Sequence, residues 1–181
     1  PDRIVFDLDP GPGVGLSELT DACRLLRQRL LDLGLTGFIK TSGGKGFHIV
    51  VPLVRRSEWD EVKAFCKALA QDLTRRHPQR FVATMSKAKR NNRIFVDYLR
   101  NTRGATSVAP FSTRARAGAP VSAPLAWEKL SDDLSSDRFT IATLPERLAA
   151  LDTDPWADFF NVRQSITVAM KRNLKGVKVE G

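Results

Sequence analysis

The chain has 181 residues, 42% of them hydrophobic, which is enough for one folded domain with a substantial core and argues against disorder. Its formal charge of +9 is unusual and points to a polyanionic partner, either nucleic acid or an anionic membrane. No apolar run is long enough to span a bilayer, the Pro-Asp-Arg start is no signal peptide, and Cys23 and Cys66 read as buried thiols rather than a disulfide.

In chain order, Ile4–Leu8 predicts a buried strand, followed by a Pro10-Gly11-Pro12-Gly13 turn. Ser17 is the expected cap of a helix to about Leu33, with Leu19, Cys23, Leu26 and Leu30 on one face and Gly34 as its stop. Phe38–Thr41 and Phe47–Val51 predict two strands joined by the glycine-rich turn Ser42–Gly46. Ser57 is the expected cap of a second helix ending near His77-Pro78, and Phe81–Ala83 predicts a fourth strand. The order β-α-β-β-α-β is the ferredoxin-like unit, in which the first and third strands are neighbours and both helices cover one face.

Side chains alternate along a strand, so Asp7 and Asp9 share a face and His48 projects beside them. Two adjacent carboxylates repel, and a divalent cation with oxygen ligands (Mg²⁺, Mn²⁺ or Ca²⁺) removes the repulsion. Asp9 can instead simply start the Pro-Gly turn. Downstream, Met85–Arg93 is a basic loop carrying Lys87, Lys89, Arg90 and Arg93. Ile94–Leu99 predicts a strand with Phe95, Asp97 and Leu99 on one face. Asp97 suits such a strand poorly unless a charge meets it, which makes it a candidate third carboxylate. Arg100, Arg103, Arg114 and Arg116 stud a Gly/Ala/Pro/Ser-rich stretch from Arg100 to Ala123, either a linker or a phosphate-binding loop. Phe139–Ile141 predicts a short strand, Leu144–Leu151 a helix, and Asp154-Pro155 opens a further helix to about Met170. Trp156, Phe159, Phe160 and Ile166 are expected on the core, and the basic Lys171–Lys178 tail is either a nucleic-acid contact or, as expected first, a solvated end.

Ser42–Gly46 can cradle phosphate through its backbone N–H groups and Lys45, or be a plain hairpin. It is not a Walker A loop, because a strand rather than a helix follows Lys45. Three carboxylates surrounded by Lys, His and Arg groups fit a two-metal site, in which ions roughly 3.5–4 Å apart serve phosphoryl chemistry. Nucleotidyl transfer is the leading class on this pattern, with the basic loops holding nucleic-acid backbones.

Three motifs in this order closely resemble the polymerase domain of bacterial DNA ligase D, in the archaeo-eukaryotic primase superfamily: Val5–Pro10, Thr41–His48 and Phe95–Asn101, joined by Ala109–Ser112 and the Arg114/Arg116 pair. The resemblance implies a repair polymerase that fills gaps and extends ends in non-homologous end joining. It implies two divalent cations (Mn²⁺ or Mg²⁺) on Asp7, Asp9 and Asp97, a nucleoside triphosphate contacted by Ser42, Gly43, Lys45, His48, Arg100 and Arg114, and DNA contacts from Lys87, Lys89, Arg90, Arg93 and Arg116. The partners implied are primer-template at double-stranded DNA ends and gaps, a ligase module, and a Ku-type end-binding protein. The expected location is the bacterial cytoplasm, at the nucleoid. On the same resemblance, residues 1–181 form a single primase-polymerase catalytic domain, α/β (α+β) in class with extra C-terminal strands and helices, and without the family's N-terminal segment. A primase, a damage-tolerance primase-polymerase and a silent nucleic-acid-binding module are the alternatives.

Overall fold

The computed structural model describes residues 1–175. Its frame is a six-stranded sheet in the order β4-β5-β1-β3-β2-β6. The strands are β1 (Arg3–Pro10), β2 (Phe38–Thr41), β3 (Phe47–Pro52), β4 (Phe81–Val82), β5 (Ile94–Asp97) and β6 (Pro124–Leu125). Strand alternation divides β1 cleanly. Ile4, Phe6 and Leu8 join Phe47, Ile49 and Val51 of β3 beneath α1 (Leu16–Asp32) and α2 (Trp59–Arg76), and all six are fully buried. Each large side chain removed from water there contributes on the order of 1.5–3 kcal/mol. The opposite face carries Val5, paired with Val50 and covered by Trp156 and Phe159, and beyond them a polar row.

The ferredoxin-like unit is present, but its fourth strand is not the expected one. Phe81–Val82 lies at the sheet edge, parallel to β5, while Ile94–Asp97 takes the place beside β1. A central strand must be apolar towards the helices over its length, and Ile94 and Val96 meet that demand where the two-residue β4 does not. β5 also stops at Asp97, because the Leu99 N–H donates to Asp97 Oδ1 at 2.8 Å and turns the chain, so Leu99 does not extend that face.

Both long helices start with caps other than the serines. Gly15 caps α1, its N–H donating to the Glu18 carboxylate at 2.7 Å, while the Ser17 hydroxyl inside the helix donates to Asp132. Glu58 occupies the cap of α2. Thr140 makes one bridge to Pro120 rather than a strand, and α3 spans Leu144–Ala149.

No single helix runs from Asp154 to Met170. The Asp154 carboxylate accepts the Trp156 N–H and closes a turn, and Trp156 and Phe159 fold onto the sheet. Gln164 then ties the following segment to Thr36 and Pro52, and the helix α4 (Val168–Lys175) begins only at Val168. Phe160, expected in the core, is 84% exposed, whereas Ile166 is buried as expected. Lys171–Lys175 is docked rather than free: Leu174 is buried, Lys171 pairs with Glu61, and Asn173 accepts from Arg29 at 2.6 Å. Residues 176–178 of the expected basic tail lie outside the described residues. No helix among the described residues is long and apolar enough to cross a membrane.

Candidate active site

The polar row runs straight across four strands. Asp97 on β5 lies opposite Asp7 on β1, Asp7 opposite His48 on β3, and His48 opposite Lys40 on β2. Each step is one interstrand spacing of about 4.8 Å. All four side chains share the face away from α1 and α2, because the alternation that buries Leu8, Phe47 and Val96 points their neighbours the other way. His48 Nε2 stands 3.4 Å from Asp7 Oδ2, and Arg100 Nε lies 3.2 Å from Asp97 Oδ2 and 3.9 Å from Asp7 Oδ2.

Electrostatically the two facing carboxyls differ. Burial alone would raise Asp7, but contact with His48 and the charges of Arg100 and Lys40 hold it below the usual carboxylate range. Asp97 is pushed up, first by burial and further by the Asp7 charge, against the Leu99 N–H and Arg100. Burial lowers the His48 imidazole despite Asp7, so it is neutral at neutral pH. Its Nδ1 is buried and has no hydrogen-bond partner among the described residues. An unpaired ring nitrogen in so buried a position retains hydrogen-bonding capacity for a ligand.

Asp9 continues along the same face but is already partnered. Arg90 Nη1 lies 2.9 Å from Asp9 Oδ2, its guanidinium sits 4.1 Å above the Phe95 ring, and its Nη2 donates to the Met85 carbonyl. Among the described residues, no three carboxylate, imidazole or thiol side chains converge into a ready-made metal cage. The expected trio of Asp7, Asp9 and Asp97 is therefore brought to one face but not to one point. Arg90 and Arg100 supply the positive charge that lets the acids lie so near each other. A face with oxygen donors, one of them an unwillingly charged Asp97, fits a hard divalent cation.

The glycine turn borders the other side of the row. Gly43 has φ +63°, and a Cβ on Gly46 would meet the Leu8 carbonyl oxygen at 1.9 Å, so the hairpin lies directly on the backbone between Asp7 and Asp9. Arg114 Nη1 donates to the Ser42 carbonyl at 3.3 Å, and the Arg116 guanidinium lies beside Gly44. Lys45 is exposed, on the wall of a groove of about 520 Å³ shared with Pro10, Gly11, Gly44 and Ser136. Ser42, Gly43, Lys45, Arg114 and Arg116 thus gather at one end of the row. Lys87 and Lys89 form an exposed 3₁₀ turn, with Arg93 half-buried beyond it, outside the row itself.

Three further residues belong to the site although no motif singled out their roles. Lys40 is 1% exposed, donates to Ser122 Oγ at 2.6 Å, and burial pushes its ammonium down to about 7. A lysine between Ile39 and Thr41 in a short strand was the available signal. Asn101 acts as a strand extension: its side-chain amide accepts from the Val5 N–H and donates to the Val5 carbonyl, fixing β1 two residues before Asp7. Ser136 reaches the glycine hairpin from a distant loop, and nothing in its surroundings in the sequence marks it.

A ferredoxin-like α/β sheet with acids on its open face and a glycine hairpin beside them is the architecture of a primase-type polymerase domain. The comparisons narrow that class. Residues 1–156 match the family model for the LigD primase-polymerase domain, and the chain belongs to that family. It is 49% identical over 175 residues to the multifunctional non-homologous end joining protein LigD of Pseudomonas aeruginosa, covering 96% of this chain and 21% of that protein. The Bacillus subtilis bifunctional LigD is 30% identical, with 88% and 26% covered. Among solved structures, the polymerase domain of Mycobacterium tuberculosis ligase D in complex with DNA matches with a TM-score of 0.77 at 36% identity, over 82% of this chain and 51% of that one. The chain therefore spans about a fifth to a quarter of the length of these curated relatives.

Proposed function

We propose that this domain is a DNA-directed nucleotidyltransferase that fills gaps and extends ends during non-homologous end joining. The observation that carries the reading is the row itself: Asp97, Asp7 and His48 at successive cross-strand positions, with Asp9 further along the same face. Asp7, Asp9 and Asp97 would hold two divalent cations, Mn²⁺ or Mg²⁺. Bound there, such ions supply the Lewis acidity that activates an attacking 3′-hydroxyl and steadies a leaving pyrophosphate.

The remaining work falls to the chain's own groups. Ser42, the free backbone N–H groups of Lys45 and Gly46, and the Lys45 ammonium would bind and orient the triphosphate at the end of the row, with His48 beside them able to donate from Nδ1 only when doubly protonated. Arg100 and Arg114 would add fixed positive charge towards its phosphates. Arg90 must leave Asp9, at least in part, for a cation to use that carboxylate fully, so the Met85–Arg93 loop couples its own position to metal loading. Lys87, Lys89, Arg93 and Arg116 would contact DNA backbones. Primer-template ends, a ligase module and a Ku-type end-binding protein are the partners this reading assigns, in the bacterial cytoplasm.

Primer extension with Mn²⁺ and nucleoside triphosphates tests it. The intact protein should extend a gapped primer-template, and Asp97→Ala should abolish extension while DNA binding persists. DNA binding with no nucleotide addition by the unaltered protein would make it a silent binding module instead. Extension undiminished in Asp97→Ala would sink the assigned mechanism.

A further inference from the structure

Ser136 comes from a loop without regular secondary structure, 90 to 94 residues from the ends of the glycine hairpin, yet it is buried inside that hairpin. Its hydroxyl accepts from the Ser42 N–H at 3.0 Å, lies 3.1 Å from the Ser42 hydroxyl, and donates to the Gly46 carbonyl. Its own carbonyl accepts the Gly43 N–H at 3.1 Å. One residue therefore holds both ends and the first glycine of the turn.

Proton accounting takes this further. A hydroxyl has one hydrogen, and the Gly46 carbonyl can only accept, so the Ser136 hydrogen is committed there. Between the two hydroxyls the donor must then be Ser42, whose oxygen also accepts the Gly44 N–H at 3.1 Å. The Ser42 hydroxyl hydrogen is directed inward at Ser136 and would have to turn outward to reach a phosphate oxygen. Ser136 also keeps the Ser42 N–H and Gly43 N–H occupied, and Ser42 takes the Gly44 N–H, so only the Lys45 and Gly46 N–H groups present unclaimed backbone donors to a ligand.

We propose that Ser136 is a positioning residue for nucleotide binding: it clamps the Ser42–Gly46 hairpin and parks the Ser42 hydroxyl that a triphosphate recruits. This rests on the nucleotidyl-transfer reading above. Loss of the Ser136 hydroxyl loosens the hairpin, which keeps its Gly43 N–H to Ser136 carbonyl and Ser42 N–H to Gly46 carbonyl bonds, and leaves the Asp97–Asp7–His48 row untouched, so it affects how tightly nucleotide is held rather than how fast bound nucleotide reacts.

The test is steady-state extension with Mn²⁺ by the intact protein and its Ser136→Ala variant, beside direct titration of each with nucleoside triphosphate. Ser136→Ala should raise KM for nucleotide about tenfold, the effect of losing one well-made hydrogen bond, with kcat at saturation within about twofold. A folded variant with KM within about twofold of the parent overturns the inference, as does a fall in kcat with KM unchanged, which marks lost folded protein instead. Should the variant not fold, amide exchange on the unaltered protein decides. The Gly43 amide, held by the Ser136 carbonyl, should be protected like those of β3 without nucleotide, and its exchange at open-loop rates overturns the clamp. An unaltered protein with no Mn²⁺-dependent nucleotide binding fails the polymerase reading itself, while the exchange result still judges the clamp.

Discussion

Lys40 and Asp97 stand at opposite ends of the same row and were unequally readable. An acid inside Phe-Val-Asp-Tyr-Leu conflicts with its strand, and that conflict marks Asp97 from sequence alone. Lys40 sits in Phe-Ile-Lys-Thr, where a lysine on an open face is expected to reach water. What buries it is the stretch ending at Ser122, which has no periodicity to announce where it packs. The consequence is a pH-dependent liability. With its ammonium held to about 7 against an ordinary value of 10.5, the native state resists a proton that the unfolded chain takes up. The liability is absent above about pH 10.5, grows as pH falls through the window, and is complete below about 7. Lys40→Met should therefore flatten the rise in urea-unfolding free energy between pH 7 and pH 9.5 by a few kcal/mol relative to the parent. A parallel pH profile for parent and variant would refute the burial argument.

At the level of elements, β1, β3 and both long helices follow from alternation and helical periodicity, and their expected cores are the observed ones apart from Trp59, expected on the apolar stripe of α2 but 37% exposed at its start. The errors fall where tertiary demand decides. Phe81–Val82, the expected fourth strand of the unit, lies at the sheet edge, and the place beside β1 falls to Ile94–Asp97, a pairing that local sequence does not decide. The helix expected from Asp154 dissolved because two of its aromatics are worth more on the sheet than on a helix face. The glycine hairpin, by contrast, is fixed by contact: Gly46→Ala places a methyl group into the Leu8 carbonyl and should cost about 1–3 kcal/mol in urea unfolding. A second element-scale device joins α1, α2 and α4. The Asp72 side chain is 1% exposed and takes Arg29 at 2.7 Å, Arg76 at 3.0 Å and Arg75 at 3.1 Å, while Arg29 also reaches Asn173. Removing that one acid strands a buried guanidinium, so Asp72→Ala should destabilise by about 3–5 kcal/mol in the same assay. A loss under 1 kcal/mol would mean that water already reaches the cluster.

For the molecule as a whole, the +9 charge was the earliest pointer to nucleic acid, and the structure gives it a direction. Arg100 meets Asp97 and Asp7, Arg90 meets Asp9, and Arg114 and Arg116 lie against the glycine hairpin beside them. DNA affinity should fall steeply with salt, and Arg116→Ala should reduce the slope of log K against log salt by about one without changing sequence preference. The row also has a history in time. A ribosome releases β1 before β3 and β5, the two strands that flank it in the sheet. At roughly 5–20 residues per second, Asp97 follows Asp7 by several seconds, and until then the first acid has no opposing charge to meet. The nascent chain can thus settle β1 against β3 and the helices before it confronts two carboxylates across one ladder. Birth order defers the repulsion until Arg100, three residues behind Asp97, is there to quench it.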